Sequence, residues 1–107
     1  MDAPGPSGDA SAHVPEIIDV VTSLVDLLGR HGNASGAAWL EQRASVLRHG
    51  SEHDRLSAVR DLHRIVLGMG GLMDIYLRAG SADEDRRANA ELDALAGRLY
   101  RLTESTP

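Results

Sequence analysis

Three glycines interrupt an apolar run, Leu67-Gly68-Met69-Gly70-Gly71-Leu72-Met73-Asp74-Ile75-Tyr76-Leu77. A packed helix or strand gains from side-chain volume at such positions, and every glycine costs extra backbone entropy on ordering. The run therefore specifies a turn, an unusual dihedral or a close approach of two backbones. An aspartate follows inside the same apolar stretch. Any fold this chain adopts has a joint here.

The sequence on either side of that joint reads as helix. Ile17, Ile18, Val21, Leu24, Val25 and Leu28 recur at three- and four-residue spacing, and Val20 and Leu27 widen the stripe enough for cover on two sides. Pro15 suits a first helical turn, and Gly29 or Gly32 can stop the helix. Asn33-Ala34-Ser35-Gly36 supplies a turn and a cap. A shorter helix is predicted from about Gly36 to Arg48 with Trp39, Leu40, Ala44 and Leu47 inward. Ser51 caps a third helix carrying Leu56, Val59, Leu62, Ile65 and Val66 into the glycines. Ser81-Ala82-Asp83-Glu84 is a capping box for a last helix with Ala88, Leu92, Leu95, Leu99 and Leu102 as its stripe. The alternation of Met73, Ile75 and Leu77 is compatible with one strand, but it has no partner strand, so a short helix or irregular turn is the better reading. The predicted fold is a compact all-α bundle of four or five helices with a glycine-rich interhelical bend. A single domain over residues 14–103 follows, with a disordered tail at 1–13 and a flexible end at 104–107.

Composition narrows the chemistry. No cysteine occurs among the 107 residues, which excludes disulfides, thiolate metal sites and cysteine nucleophiles. All eleven basic residues are arginine, so a Schiff-base or phosphate-loop lysine is excluded as well. The net charge of −5 argues against general affinity for nucleic acid or anionic membranes and suits a basic protein partner. The opening residues lack the basic and apolar regions of a signal peptide, and no apolar stretch approaches the roughly 20 residues of a membrane span. A cytoplasmic location is expected.

The candidate site residues are Trp39, Gly68, Gly70, Gly71, Asp74 and Asn89. Gly68-Met69-Gly70-Gly71 lacks the preceding strand, lysine and hydroxyl of a nucleotide loop, so a packing bend is the better account. Asp74 must leave its apolar surroundings or find donors, for which Arg78, Asn89 and Trp39 are within conceivable reach. One carboxylate without a companion specifies no acid–base mechanism. His49 and His53 have four-residue spacing, but Gly50-Ser51 breaks the helix that would align them on a metal. His63 reads as a hydrogen-bonding residue on the side of the third helix. Arg43, Arg48, Arg55, Arg60 and Arg64 form a strip that Asp61 dilutes, and Asp83, Glu84, Asp85, Glu91 and Asp93 give the last helix an acidic face. No cofactor and no catalytic residue are predicted.

With Trp39-Leu40, Gly68-Met69-Gly70-Gly71-Leu72-Met73-Asp74 and Asn89-Ala90-Glu91-Leu92 in this order, the chain resembles a family of small uncharacterised bacterial helical proteins. These carry a tryptophan-containing helix, a Gly-Met-Gly segment leading to aspartate, and a later asparagine-containing helix. The chain departs from that pattern at Gly71, where serine is common, and at Met73, where a polar residue is common. The resemblance spans Val14 to Leu102 and implies fold roles for Trp39, Asp74 and Asn89, and some comparable small bacterial proteins occur in toxin–immunity settings. A noncatalytic protein-binding role, immunity- or inhibitor-like, is the leading expectation. The alternatives are a small-molecule or unusual enzymatic pocket at Gly70, Gly71, Asp74 and Asn89 edged by Trp39, and a structural homodimer.

Overall fold

The computed structural model describes residues 8–104, with side chains from His13 onward. Four helices, α1 (Gly8–Arg30), α2 (Ala34–His49), α3 (Glu52–Leu67) and α4 (Ala82–Thr103), are joined by two short connections and one long one. The long connection, between Leu67 and Ala82, holds a single 3-10 turn at Leu72–Asp74. Among the described residues there is no strand, and the all-α bundle predicted from sequence is what the chain forms.

Each boundary has a local cause. Gly32 closes α1, where the Asn33 N–H reaches back to the Leu28 carbonyl at 2.9 Å. Asn33 then caps α2, its Oδ1 accepting from the Gly36 N–H at 2.9 Å. Ser51 Oγ accepts from the Asp54 N–H, and Ser81 Oγ from the Glu84 N–H, both at 3.1 Å. Each of these hydroxyls covers an amide that has no partner inside its helix.

One boundary differs from expectation. The first helix begins at Gly8 and not at Pro15, so Gly8 to His13 are helix where a disordered tail was predicted. Ala10 and Ala12 are strong helix formers, which favours helix in this stretch. Pro15 sits inside the helix, compatible in φ although it forgoes one backbone hydrogen bond. Residues 1–7 and 105–107, where the rest of the predicted tails fall, lie outside the described residues.

Helix α1 packs on α2 and α4, and α3 packs on the same two helices. This explains the width of the α1 stripe: Ile17, Val20, Val21, Leu24, Leu27 and Leu28 are all buried because the helix has two neighbours. They share one core with Leu40 and Leu47 of α2, Val59 and Leu62 of α3, and Leu92, Ala96 and Leu99 of α4. Leu72 and Leu77 extend that core from the long connection. Trp39 packs only against its edge, with the Arg43 guanidinium 4.1 Å from its ring centroid. The glycine segment is thus tied to the core by two leucines.

Candidate functional site

The glycine segment realises all three options its sequence allowed. Gly70 has φ +73, a left-handed conformation that only glycine adopts freely. Gly71 has an ordinary φ of −84 but lies where a Cβ would sit 2.0 Å from the Ile65 carbonyl oxygen. The end of α3 and the following turn therefore touch backbone to backbone. The Gly71 N–H donates to the Gly68 carbonyl at 2.8 Å, closing a turn around Met69 and Gly70. Gly68 is the C-cap of α3.

Asp74 is exposed, which removes the question of how an apolar core tolerates its charge. Its Oδ2 accepts from the Gly70 N–H at 2.7 Å, and its own N–H donates to the Gly71 carbonyl at 3.0 Å. The carboxylate is an anchor for the glycine turn. None of the donors expected for it is used: the Arg78 guanidinium instead lies 5.8 Å from the Tyr76 ring, and Asn89 is engaged elsewhere. Asp74 and Gly70 are four residues apart in a turn, so the nearest free donor is main chain, and that proximity wins.

Asn89 holds the far end of the segment. Its Oδ1 accepts from the Leu77 N–H at 2.8 Å, while its Nδ2 donates to the carbonyls of Leu77 at 2.9 Å and Asp85 at 2.7 Å. One amide side chain thereby satisfies both main-chain polar groups of Leu77, which lies outside any helix. The Ala79 N–H donates to Asp85 Oδ1 just beyond. Asn89 sits beside Ala88 and three residues before Leu92, and a polar residue at that edge of an apolar stripe was the signal for this clamp.

A cavity of about 190 Å³ lies where the turn meets α2. Ser35, Trp39, Ile65, Gly70, Gly71 and Ile75 are among its lining residues, whereas Asp74 and Asn89 are not. The expected pocket is therefore corrected: Trp39 and the two glycines come together, but the two polar side chains face other duties. Beside it the segment exposes four large apolar side chains. Met69 is fully exposed, Leu67 and Tyr76 are 65% exposed and Met73 is 49% exposed.

Comparison of the chain with protein-family models, curated proteins and solved structures finds no match. The site must be read from its own geometry.

The remaining sequence candidates are dispersed. His49 and His53 are both exposed, and no group of three or more potential ligands is placed to hold a metal among the described residues. Asp61 is flanked by Arg43 at 3.5 Å and Arg64 at 3.0 Å, so the arginine strip is neutralised in its middle. Asp83 and Glu84 are exposed in the first turn of α4. No helix of the described residues is long and apolar enough to cross a membrane. Thr103, which the sequence reading missed, is buried and bonds to His63 at 2.9 Å.

Proposed function

We propose that the chain is a noncatalytic protein-interaction domain of the cytoplasm, immunity- or inhibitor-like in its action, which binds a basic partner through the glycine segment. The observation that carries this reading is the exposure of Leu67, Met69, Met73 and Tyr76 within ten residues. Apolar side chains scattered singly over a surface need no explanation, but a cluster on one segment marks an interaction site. Methionine, with its flexible chain, adapts to a partner's contours.

The adjoining cavity supports a protein ligand over a small molecule. Small-molecule pockets commonly reach about 300–1,000 Å³ and carry a few convergent polar groups. Here the volume is about 190 Å³ and the two expected polar groups lie outside it. That space suits one apolar side chain of a partner, seated between Trp39 and Ile75 as an anchor. The net charge of −5 favours a basic partner for that anchor.

The test is affinity capture from a lysate at low and high salt, comparing the native chain with the Met69→Ser, Tyr76→Ser double variant. Both positions are exposed, so the fold should persist by circular dichroism. A specific protein captured by the native chain and lost from the variant is the expected result. Equal capture by the two chains refutes the assignment of this surface. Sedimentation run alongside separates a foreign partner from a second copy, and a toxin-like product of an adjacent gene would favour the immunity reading.

A further inference from the structure

The sulfur chemistry of this chain is concentrated in the glycine segment. No cysteine occurs, so the thioethers of its three methionines are its only sulfur atoms, and Met69 and Met73 carry two of them. The third, Met1, lies outside the described residues. Oxidation of a thioether to the sulfoxide turns a flexible apolar tip into a polar one. An oxidant must touch the sulfur, so the rate follows access to the side chain.

Access differs sharply between the two. Met69 is 102% exposed, whereas Met73 is 49% exposed. The cause is local: Gly68 and Gly70 flank Met69, and neither carries a side chain that could lie over the sulfur. The turn that displays it is closed by the Gly71 N–H on the Gly68 carbonyl at 2.8 Å and by the Gly70 N–H on Asp74 Oδ2 at 2.7 Å. Met73 instead sits in the 3-10 turn beside Leu72, which is buried in the core. Met69 has no part in that core, so a polar group at its tip leaves the packing of the bundle untouched. It does remove the most exposed of the four apolar side chains on the segment.

We propose that Met69 is a reversible oxidation site, converted to its sulfoxide by peroxides ahead of Met73, and that the conversion switches off binding through the glycine segment. The switch rests on the protein-interaction reading, whereas the oxidation site does not. In the forward step the sulfur lone pair attacks one oxygen of hydrogen peroxide. An S–O bond forms, the O–O bond breaks, the second oxygen leaves as water, and sulfur gives up two electrons. A thiol-dependent sulfoxide reductase reverses it: two thiols become a disulfide, and the sulfoxide oxygen leaves as water.

Graded hydrogen peroxide on the folded full chain, followed by tandem mass spectrometry of the peptide carrying both residues, tests the site. Met69 should oxidise several-fold faster than Met73, and the singly oxidised chain should keep its circular dichroism. Equal rates, or faster oxidation of Met73, overturn the site. Reductases for both sulfoxide epimers, supplied with a dithiol, should restore the thioether, and a persistent sulfoxide overturns reversibility. The switch is read by lysate capture at a dose that oxidises Met69 alone, with Met69→Leu as a variant that keeps apolar volume without sulfur. Capture lost from the oxidised native chain and kept by treated Met69→Leu is the expected result. Capture kept by the oxidised native chain overturns the switch and leaves the oxidation site standing. No specific capture by the untreated chain overturns the binding reading and the switch together, again without touching the oxidation rates.

Discussion

Replacing Gly71 by alanine isolates the close approach on which the joint depends. The native φ of −84 and ψ of −162 are accessible to alanine, so the dihedral itself contributes no strain. The added Cβ would instead lie 2.0 Å from the Ile65 carbonyl oxygen and 2.7 Å from that of Gly68. Both are main-chain atoms and cannot rotate aside. The turn must move by roughly 1 Å or more, because carbon and oxygen in contact stand over 3 Å apart. That shift lengthens the Gly71–Gly68 hydrogen bond and lifts Leu72, which is now 3% exposed, from the core. Overpacking costs about 1–3 kcal/mol and a lost backbone hydrogen bond about 1, so a loss of about 3 kcal/mol is expected. For a domain of this size that lowers Tm by roughly 12–24 °C. Urea denaturation followed by circular dichroism and Trp39 fluorescence measures it. Gly70→Ala is the comparison: nothing lies within 4 Å of its Cβ, but its φ is +73, so the loss should be only about 1 kcal/mol. A Gly71→Ala protein within about 0.5 kcal/mol of native, beneath the overpacking range, would refute the close-approach argument.

Other parts of the architecture make separate demands. Asn89→Ala should cost about 2–3 kcal/mol, since it leaves both polar groups of Leu77 without their side-chain partner. Hydrogen exchange at the Leu77 amide should accelerate in that variant, and an unchanged rate would count against the clamp. Ser51→Ala and Ser81→Ala should each cost about 1 kcal/mol and add in the double variant, because the caps serve different helices. Strong non-additivity in denaturation would show that the two helix starts are coupled. Gly29→Ala, near the end of α1 with open space around its Cβ, should stabilise by up to about 1 kcal/mol, seen as a higher Tm.

The helices were legible because burial follows a period that the sequence displays. Leu24, Leu62, Leu92 and Leu99 are buried as their spacing demands, and Asn33, Ser51 and Ser81 cap the helices they precede. The long connection was legible only in part. Glycine announces a tight joint but does not say which backbone approaches it, so the contact of Gly71 with the Ile65 carbonyl was hidden. Polar pairings were the least legible. Asn89 was one of the donors within reach of Asp74 by sequence, yet each of the two spends an oxygen on a main-chain amide. An unpaired peptide group close in the chain outcompetes a side chain farther away. His63 and Thr103 are 40 residues apart, and nothing in one-dimensional spacing links them.

Asp74 shows how the turn's stability and its display of apolar side chains are connected. Four exposed hydrophobic groups on a loose loop would lose entropy on binding and contribute less affinity. Here the loop is held at both ends: Asp74 fastens Gly70, and Asn89 fastens Leu77. Because Asp74 is exposed, Asp74→Ala should cost no more than about 1 kcal/mol of global stability. It should nonetheless free the Gly70 amide, speed its hydrogen exchange and weaken capture of the proposed partner several-fold through added mobility of Met69. Asp74→Asn retains an oxygen acceptor and should behave nearly as the native chain in all three measurements. If Asp74→Ala accelerates exchange at Gly70 but binds as the native chain does, rigidity of the turn is irrelevant to recognition. If exchange itself is unchanged, the carboxylate does not hold the turn.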